Sequence, residues 1–250
     1  MIYTIIVSVI IIVIGLIIIP PFVVIPVIAR FKIRMPRDPG LLVMDPKYFP
    51  KYVSEYLSHI RSLLKNEGFE MALDAIQPEQ EPDMTTSYFR LFVNKAKQDT
   101  AVAIISLGNS KEGEKRVTNA FTEISTEFSP DKKITTNNIV TPPVFRDVPE
   151  NPIFRFPGEQ NLGVLYKTHQ KIVSEAGENG KRFLPPRGGE LKYLRDTLVN
   201  SLDMQIKTGY LYSDEAGGVY RPTWKGAFLM MWKSAFGTIK MIRLRRKRPS

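Results

Sequence analysis

From Ile2 to Ala29 no charged side chain interrupts a run dominated by isoleucine and valine. At about 1.5 Å of rise per residue, roughly 20 such residues cover the roughly 30 Å of a bilayer's hydrocarbon core. The run therefore predicts a transmembrane anchor over residues 1–29. It should be a regular helix to Ile19, with Pro20, Pro21 and Pro26 kinking or ending it beyond that point. Arg30, Lys32, Arg34 and Arg37 follow the run, and only the amino terminus precedes it. Basic flanks stay on the cytoplasmic side. The expectation is a single-pass protein of the inner or plasma membrane, amino terminus outside and body cytoplasmic. A cleaved signal peptide would want a basic n-region and an apolar run about half as long.

Past a basic, proline-rich connector at 30–45, the period changes. Val53, Tyr56, Leu57, Ile60, Leu63 and Leu64 recur at helical spacing up to Gly68, which stops the helix. Shorter runs suited to strands follow at 69–75, 87–94, 100–108, 117–128 and 133–140. Thr100–Leu107 is apolar at successive positions, which places it centrally in a sheet with both faces covered. The short polar connections favour an antiparallel meander. Prolines crowd 142–157, where Ile153-Phe-Arg-Phe156 reads as a brief edge strand. Leu162, Leu165, Tyr166, His169, Ile172 and Val173 mark a second helix, and Leu191, Leu194, Leu198, Leu202 and Ile206 a third over 190–207. A hairpin around Ser213–Gly218 leads to Thr223, placed to cap a last helix from Trp224.

The resulting fold class is α+β: a transmembrane helix, an antiparallel sheet of about five strands flanked by helices, and a C-terminal amphipathic basic helix. Its divisions fall at 1–29 (anchor), 30–45 (connector), 46–222 (soluble domain) and 223–250 (basic helix and tail).

Charge sharpens the picture at the ends. The net charge of +10 is concentrated there: residues 221–250 hold nine basic residues and no acid, whereas 40–220 are nearly neutral. In the last segment Trp224, Phe228 and Trp232 share a helical face with Ala227, Met231, Ala235, Ile239 and Ile242, while Lys225, Lys233, Lys240, Arg243 and Lys247 cluster on another. Aromatic bulk beside cations is the composition of a helix lying on an anionic lipid surface. The expected surface-binding set is Arg30, Lys32, Arg34, Arg37, Trp224, Lys225, Phe228, Trp232, Lys233, Lys240, Arg243, Arg245, Arg246, Lys247 and Arg248.

Catalytic chemistry is hard to find. With no cysteine, thiolate catalysis and sulfur-ligated metal sites are excluded. His169 falls on an apolar helix face, the place of a buried histidine bonded to a neighbour, and His59 falls off the apolar stripe. Asp196 and Asp203 share a helix face without a third ligand. Gly177-Glu-Asn-Gly-Lys181 lacks the spacing and the hydroxyl residue of a phosphate loop. No catalytic residue, metal or cofactor is assigned.

Thr208-Gly-Tyr-Leu-Tyr212, with Arg221-Pro-Thr-Trp-Lys-Gly226, resembles the hairpin and following helix of winged-helix domains. The resemblance covers about 20 residues and implies DNA binding. No upstream helix-turn-helix accompanies it, and the near-neutral centre lacks a basic stripe, so nucleic acid is not an expected partner. The functional expectation is a membrane-anchored protein-binding or scaffolding module whose partners are an anionic bilayer and an unidentified protein. The alternatives are an enzyme acting on a membrane-associated substrate and a membrane-tethered regulator.

Overall fold

The computed structural model describes residues 23–79, 85–109, 114–129, 132–141, 143–145, 147–176 and 180–233, together with Tyr3, Ile5, Val7, Ser8 and Gly15. The chain is α+β. It divides into two compact units, residues 1–37, 142–146 and 202–250 forming unit 1, and residues 38–141 and 147–201 forming unit 2.

The expected transmembrane helix is not found among the described residues. Among the described residues no helix is long and apolar enough to cross a membrane. The helix described at the end of that segment, α1 (Ile25–Lys32), has eight residues, a proline in its first turn and Arg30 and Lys32 in its last. Eight residues rise about 12 Å, well short of a hydrocarbon core. Most of residues 1–22 lie outside the described residues. With no such helix among the described residues, the single-pass localisation, the outside amino terminus and the cytoplasmic placement of the body lose their basis.

Unit 2 is built on a seven-stranded sheet. In chain order its elements are β2 (Leu42–Val43), α2 (Lys51–Asn66), β3 (Glu70–Gln77), β4 (Thr85–Asn94), β5 (Asp99–Asn109), β6 (Lys115–Ser129), β7 (Lys132–Asn137), β8 (Ile153–Arg155), α3 (Leu162–Glu175) and the start of α4 (Glu190–Lys207). Spatial order follows sequence order from β2 to β8. Every pair is antiparallel except β7 with β8, which is parallel. The expected five strands become seven: β8 is the brief edge strand read at 153–156, and the two-residue β2 is too short to carry an alternating signature. β5, with its double-sided apolar run, is the central strand.

Strand alternation gives the sheet two apolar faces. Ala101, Ala103, Ile105 and Leu107 of β5 join Val53, Leu57, Ile60 and Leu64 of α2 and Leu162 and Leu165 of α3 in one core. Val102 and Ile104 of the same strand join Leu191, Leu194 and Leu198 of α4, with Ala75 and Phe89, in the other. Helices on both faces account for the continuous hydrophobicity of the central strand. α2 ends where Gly68, at φ +84°, turns the chain into β3.

Unit 1 has a three-stranded sheet of its own in the order β1 (Met35–Pro36), β10 (Val219–Pro222), β9 (Leu211–Asp214). Its last helix, α5, is described over 224–233. Thr223 caps this helix, its hydroxyl accepting from the Gly226 amide at 2.9 Å. Gly226 lies so close to the backbone of Tyr210 that a Cβ there would sit 1.9 Å from the Tyr210 carbonyl oxygen, so the hairpin-to-helix junction requires glycine. Tyr210, Leu211, Tyr220 and Met230 form the core of this unit, with Met35, Phe145, Leu202 and Ile206 against it.

Candidate functional site

Two arrangements stand out, one in each unit. The first is a buried polar network in unit 2. Asp99 opens β5 on the face covered by α3, and it is wholly buried. Its carboxylate accepts from Thr126 Oγ1 at 2.5 Å, Gln170 Nε2 at 2.6 Å and Tyr166 Oη at 2.8 Å, with Arg182 Nη1 at 3.5 Å. Tyr166, His169 and Gln170 are spaced i, i+3 and i+4 along α3, so all three point at the sheet. Tyr166 Oη also accepts from Asn94 Nδ2 at 3.3 Å, and that same amide donates to the Glu67 carbonyl after α2.

His169 completes the network. Nε2 lies 2.9 Å from Thr126 Oγ1, and Nδ1 lies 2.9 Å from Thr136 Oγ1. Thr126 has one hydroxyl hydrogen, and it goes to Asp99. Thr126 must therefore accept from Nε2–H, which makes Nδ1 the acceptor of the Thr136 hydroxyl. Burial, with repulsion from Arg182, lowers the His169 pKa to about 4, in keeping with this neutral imidazole. Burial pushes the Asp99 carboxyl upward, against the pull of Thr126, Tyr166, Arg182 and Gln170.

A hydroxyl–imidazole–hydroxyl–carboxylate chain contains the groups of an acid–base site but has no access. His169, Asp99, Thr126 and Thr136 are all at 0% exposure, and a reacting atom needs room within about 3 Å of its nucleophile and base. Arg182, its side chain 26% exposed, and the half-buried Gln170 are the members that meet solvent. The network therefore fastens α3 and the end of α2 to strands β4–β7 through direct hydrogen bonds between their polar groups.

His169 gives this fastening a pH dependence. Its folded-state pKa, about 4, lies below the ordinary 6.5. Between those values the unfolded chain binds more protons than the folded one, so stability rises with pH across the window and is lost on acidification. The shift corresponds to about 3 kcal/mol between pH 7 and pH 4. The raised Asp99 carboxyl acts in the opposite sense at the acid end of the window. Urea unfolding midpoints are expected to fall steadily from pH 7 to pH 5, and His169→Asn should flatten that slope. An unchanged slope in the variant would show that other groups set it.

The second arrangement is the outer side of unit 1. Trp224, Phe228 and Trp232, four residues apart on α5, are 51%, 46% and 50% exposed, and Ile25, Ile28 and Phe31 of α1, with Val24 just before it, are exposed as well. Phe31 and Trp224 meet edge to face with ring centroids 6.0 Å apart. Exposed apolar surface that is continuous over two elements is unusual for a monomer. Cations accompany it. The described part of unit 1 holds Arg30, Lys32, Arg34, Arg37, Lys207, Arg221, Lys225 and Lys233 against Asp203, Asp214 and Glu215. All three acids are engaged within the unit: Glu215 pairs with Arg37, Asp214 with Arg221 at 2.7 Å, and Asp203 accepts from Tyr220 Oη at 2.7 Å.

Arg30 is set among the aromatic rings. Its guanidinium lies 4.6 Å from the Tyr212 ring centroid, 5.8 Å from that of Trp224 and 5.9 Å from that of Phe31. Nη1 donates to Tyr212 Oη at 2.8 Å, while Nε is buried with no hydrogen-bond partner among the described residues. A buried donor left unmade costs about 1–3 kcal/mol.

Of the surface-binding residues expected from sequence, the structure brings Arg30 and Trp224 together; Lys32, Arg34, Arg37, Lys225, Phe228 and Trp232 are exposed and Lys233 half-buried in the same unit. Arg37 is occupied by Glu215, and Lys233 Nζ donates to the Phe145 carbonyl at 2.7 Å. Lys240, Arg243, Arg245, Arg246, Lys247 and Arg248 lie outside the described residues. His59 is exposed, and Asp196 pairs with Lys192 on the surface. No metal-sized group of three or more His, Asp or Glu occurs among the described residues. Sequence reasoning missed Asp99, Thr126, Tyr166, Gln170 and Arg182. The polar triplet inside the apolar face of α3 was the available signal.

No protein-family model matches this chain, and no curated protein or solved structure does.

Proposed function

We propose that this protein is a non-catalytic scaffold or protein-binding module that docks on an anionic lipid surface through the outer side of unit 1. The carrying observation is the exposed stripe Trp224, Phe228 and Trp232 in a unit whose cations exceed its acids. Tryptophan and phenylalanine suit the boundary between headgroups and acyl chains, and each nearby cation adds on the order of 1 kcal/mol of attraction to an anionic leaflet. Such docking needs no membrane-crossing helix. The Asp99–His169 network supports a scaffolding rather than a catalytic role for unit 2, because its carboxylate, its imidazole and both threonine hydroxyls are wholly buried.

Flotation of the full chain with vesicles tests the reading. Binding to phosphatidylcholine containing 30% phosphatidylglycerol, as an order-of-magnitude anionic content, is expected to exceed binding to pure phosphatidylcholine and to weaken with added salt. The triple variant Trp224→Ser, Phe228→Ser, Trp232→Ser removes exposed rings, so its melting temperature should stay close to that of the wild type. Its vesicle affinity should fall at least about tenfold, given the apolar area withdrawn. Equal binding by the variant and the wild type would overturn the proposal. Preference for duplex DNA over vesicles would move the face to a nucleic-acid partner.

A further inference from the structure

Arg30 is the one described cation of unit 1 that combines an aromatic setting with an unmade hydrogen bond. Its partner set consists of the Tyr212 hydroxyl on Nη1 and three flanking rings. Nε has none, and every acid in the described part of the unit is taken by another residue. A guanidinium edge formed by Nε–H and one Nη–H is the fork that accepts two oxygens of a phosphate or carboxylate side by side. The rings of Tyr212, Trp224 and Phe31 lie 4.6, 5.8 and 5.9 Å from the guanidinium carbon.

Two of the covering rings belong to the exposed apolar surface, Trp224 at 51% and Phe31 at 57%. These are the side chains that would leave water for acyl chains when unit 1 meets a lipid surface. Their departure from the guanidinium would leave Nε, buried and without a partner, open to a phosphate oxygen. We infer that Arg30 is the headgroup-binding residue of this face, its Nε–Nη edge taking a phospholipid phosphate as Trp224 and Phe31 move into the apolar layer. The inference rests on the proposed lipid docking and names its ligand chemistry. In water the rings shield the cation by cation–π contact, and on lipid the phosphate satisfies the donor that the rings leave bare.

Arg30→Lys keeps the charge and removes the fork, so it separates a phosphate contact from simple attraction. Two vesicle types of equal surface charge are needed for the full-length protein. One is phosphatidylcholine with phosphatidylglycerol, and the other is phosphate-free, a digalactosyl diacylglycerol bilayer made anionic with a sulfonated glycolipid. Arg30→Lys is expected to bind the phospholipid vesicles about tenfold more weakly than the wild type and the phosphate-free vesicles within about twofold. As a second readout, the Arg30 Nε–H resonance, assigned by its loss in the variant, should shift downfield in short-chain phosphatidylglycerol micelles and stay put in glycolipid micelles.

Equal phospholipid binding by variant and wild type, or equal weakening on both vesicle types, overturns the phosphate assignment while lipid docking stands. Failure of the wild type to bind either vesicle overturns the docking itself. Should Arg30→Lys fold poorly, an unshifted Nε–H resonance in the wild type is sufficient to overturn the assignment.

Discussion

Asp99→Ala is expected to destabilise unit 2 by about 3–5 kcal/mol, the cost of removing one side of a buried, charge-assisted network. Four donors converge on this carboxylate, from Thr126, Tyr166, Gln170 and Arg182. Its loss leaves two of them, Thr126 and Tyr166, buried without this acceptor and also removes the reason for the Nε2–H tautomer of His169. For a unit of this size the loss amounts to a fall in melting temperature on the order of 10 °C. Asp99→Asn tests the charge apart from the shape: its amide nitrogen would face donors, so most of the loss should persist. Calorimetry or thermal circular dichroism reads both variants. A shift under about 1 kcal/mol for Asp99→Ala would mean that packing, not the carboxylate, fastens α3.

Arg90→Met is the second large effect. Arg90 and Asp74 are register partners on β4 and β3, both buried, joined side by side by Nε to Oδ1 at 2.6 Å and Nη2 to Oδ2 at 2.9 Å. Removing the arginine alone strands a carboxylate beneath the α2–α3 core and should cost about 3–5 kcal/mol. Replacing both, Asp74→Leu with Arg90→Met, exchanges an ion pair for apolar contacts and is expected to fall between neutral and a few kcal/mol more stable. The difference between single and double variants, read by urea unfolding, isolates the pair. If the double variant is as unstable as the single one, the pair contributes something that apolar packing cannot replace.

The legibility of these features differs for physical reasons. The Arg90–Asp74 pair could be read in outline, since each charge interrupts an otherwise apolar strand and a lone buried charge demands an opposite one across the ladder. Asp99 could not, because it ends a polar turn and resembles any solvated aspartate until Gln98, at φ 55°, turns it inward. α2, α3 and α4 were legible from helical spacing over about three or more turns, and β5 from its double-sided apolar run. β1 and β2, with two residues each, offered no period to detect, whereas β8 was read as a brief edge strand among the prolines. Unit 1 is assembled from three distant stretches of chain, an arrangement that local pattern does not encode. The charge-free run at the amino terminus predicted a span, yet the described helix there is eight residues long and ends in two cations.

The lipid-docking claim has a built-in reporter, for Trp224 and Trp232 are the two tryptophans of the chain. Intrinsic tryptophan emission of the full protein titrated with anionic vesicles is its most direct test. Both indoles should pass from water to the acyl boundary, giving a blue shift and quenching by lipids brominated near the top of the acyl chain. Emission that keeps its wavelength and ignores the bromines while the protein cosediments with the vesicles would show that contact is made elsewhere, and the role assigned to unit 1 would be wrong.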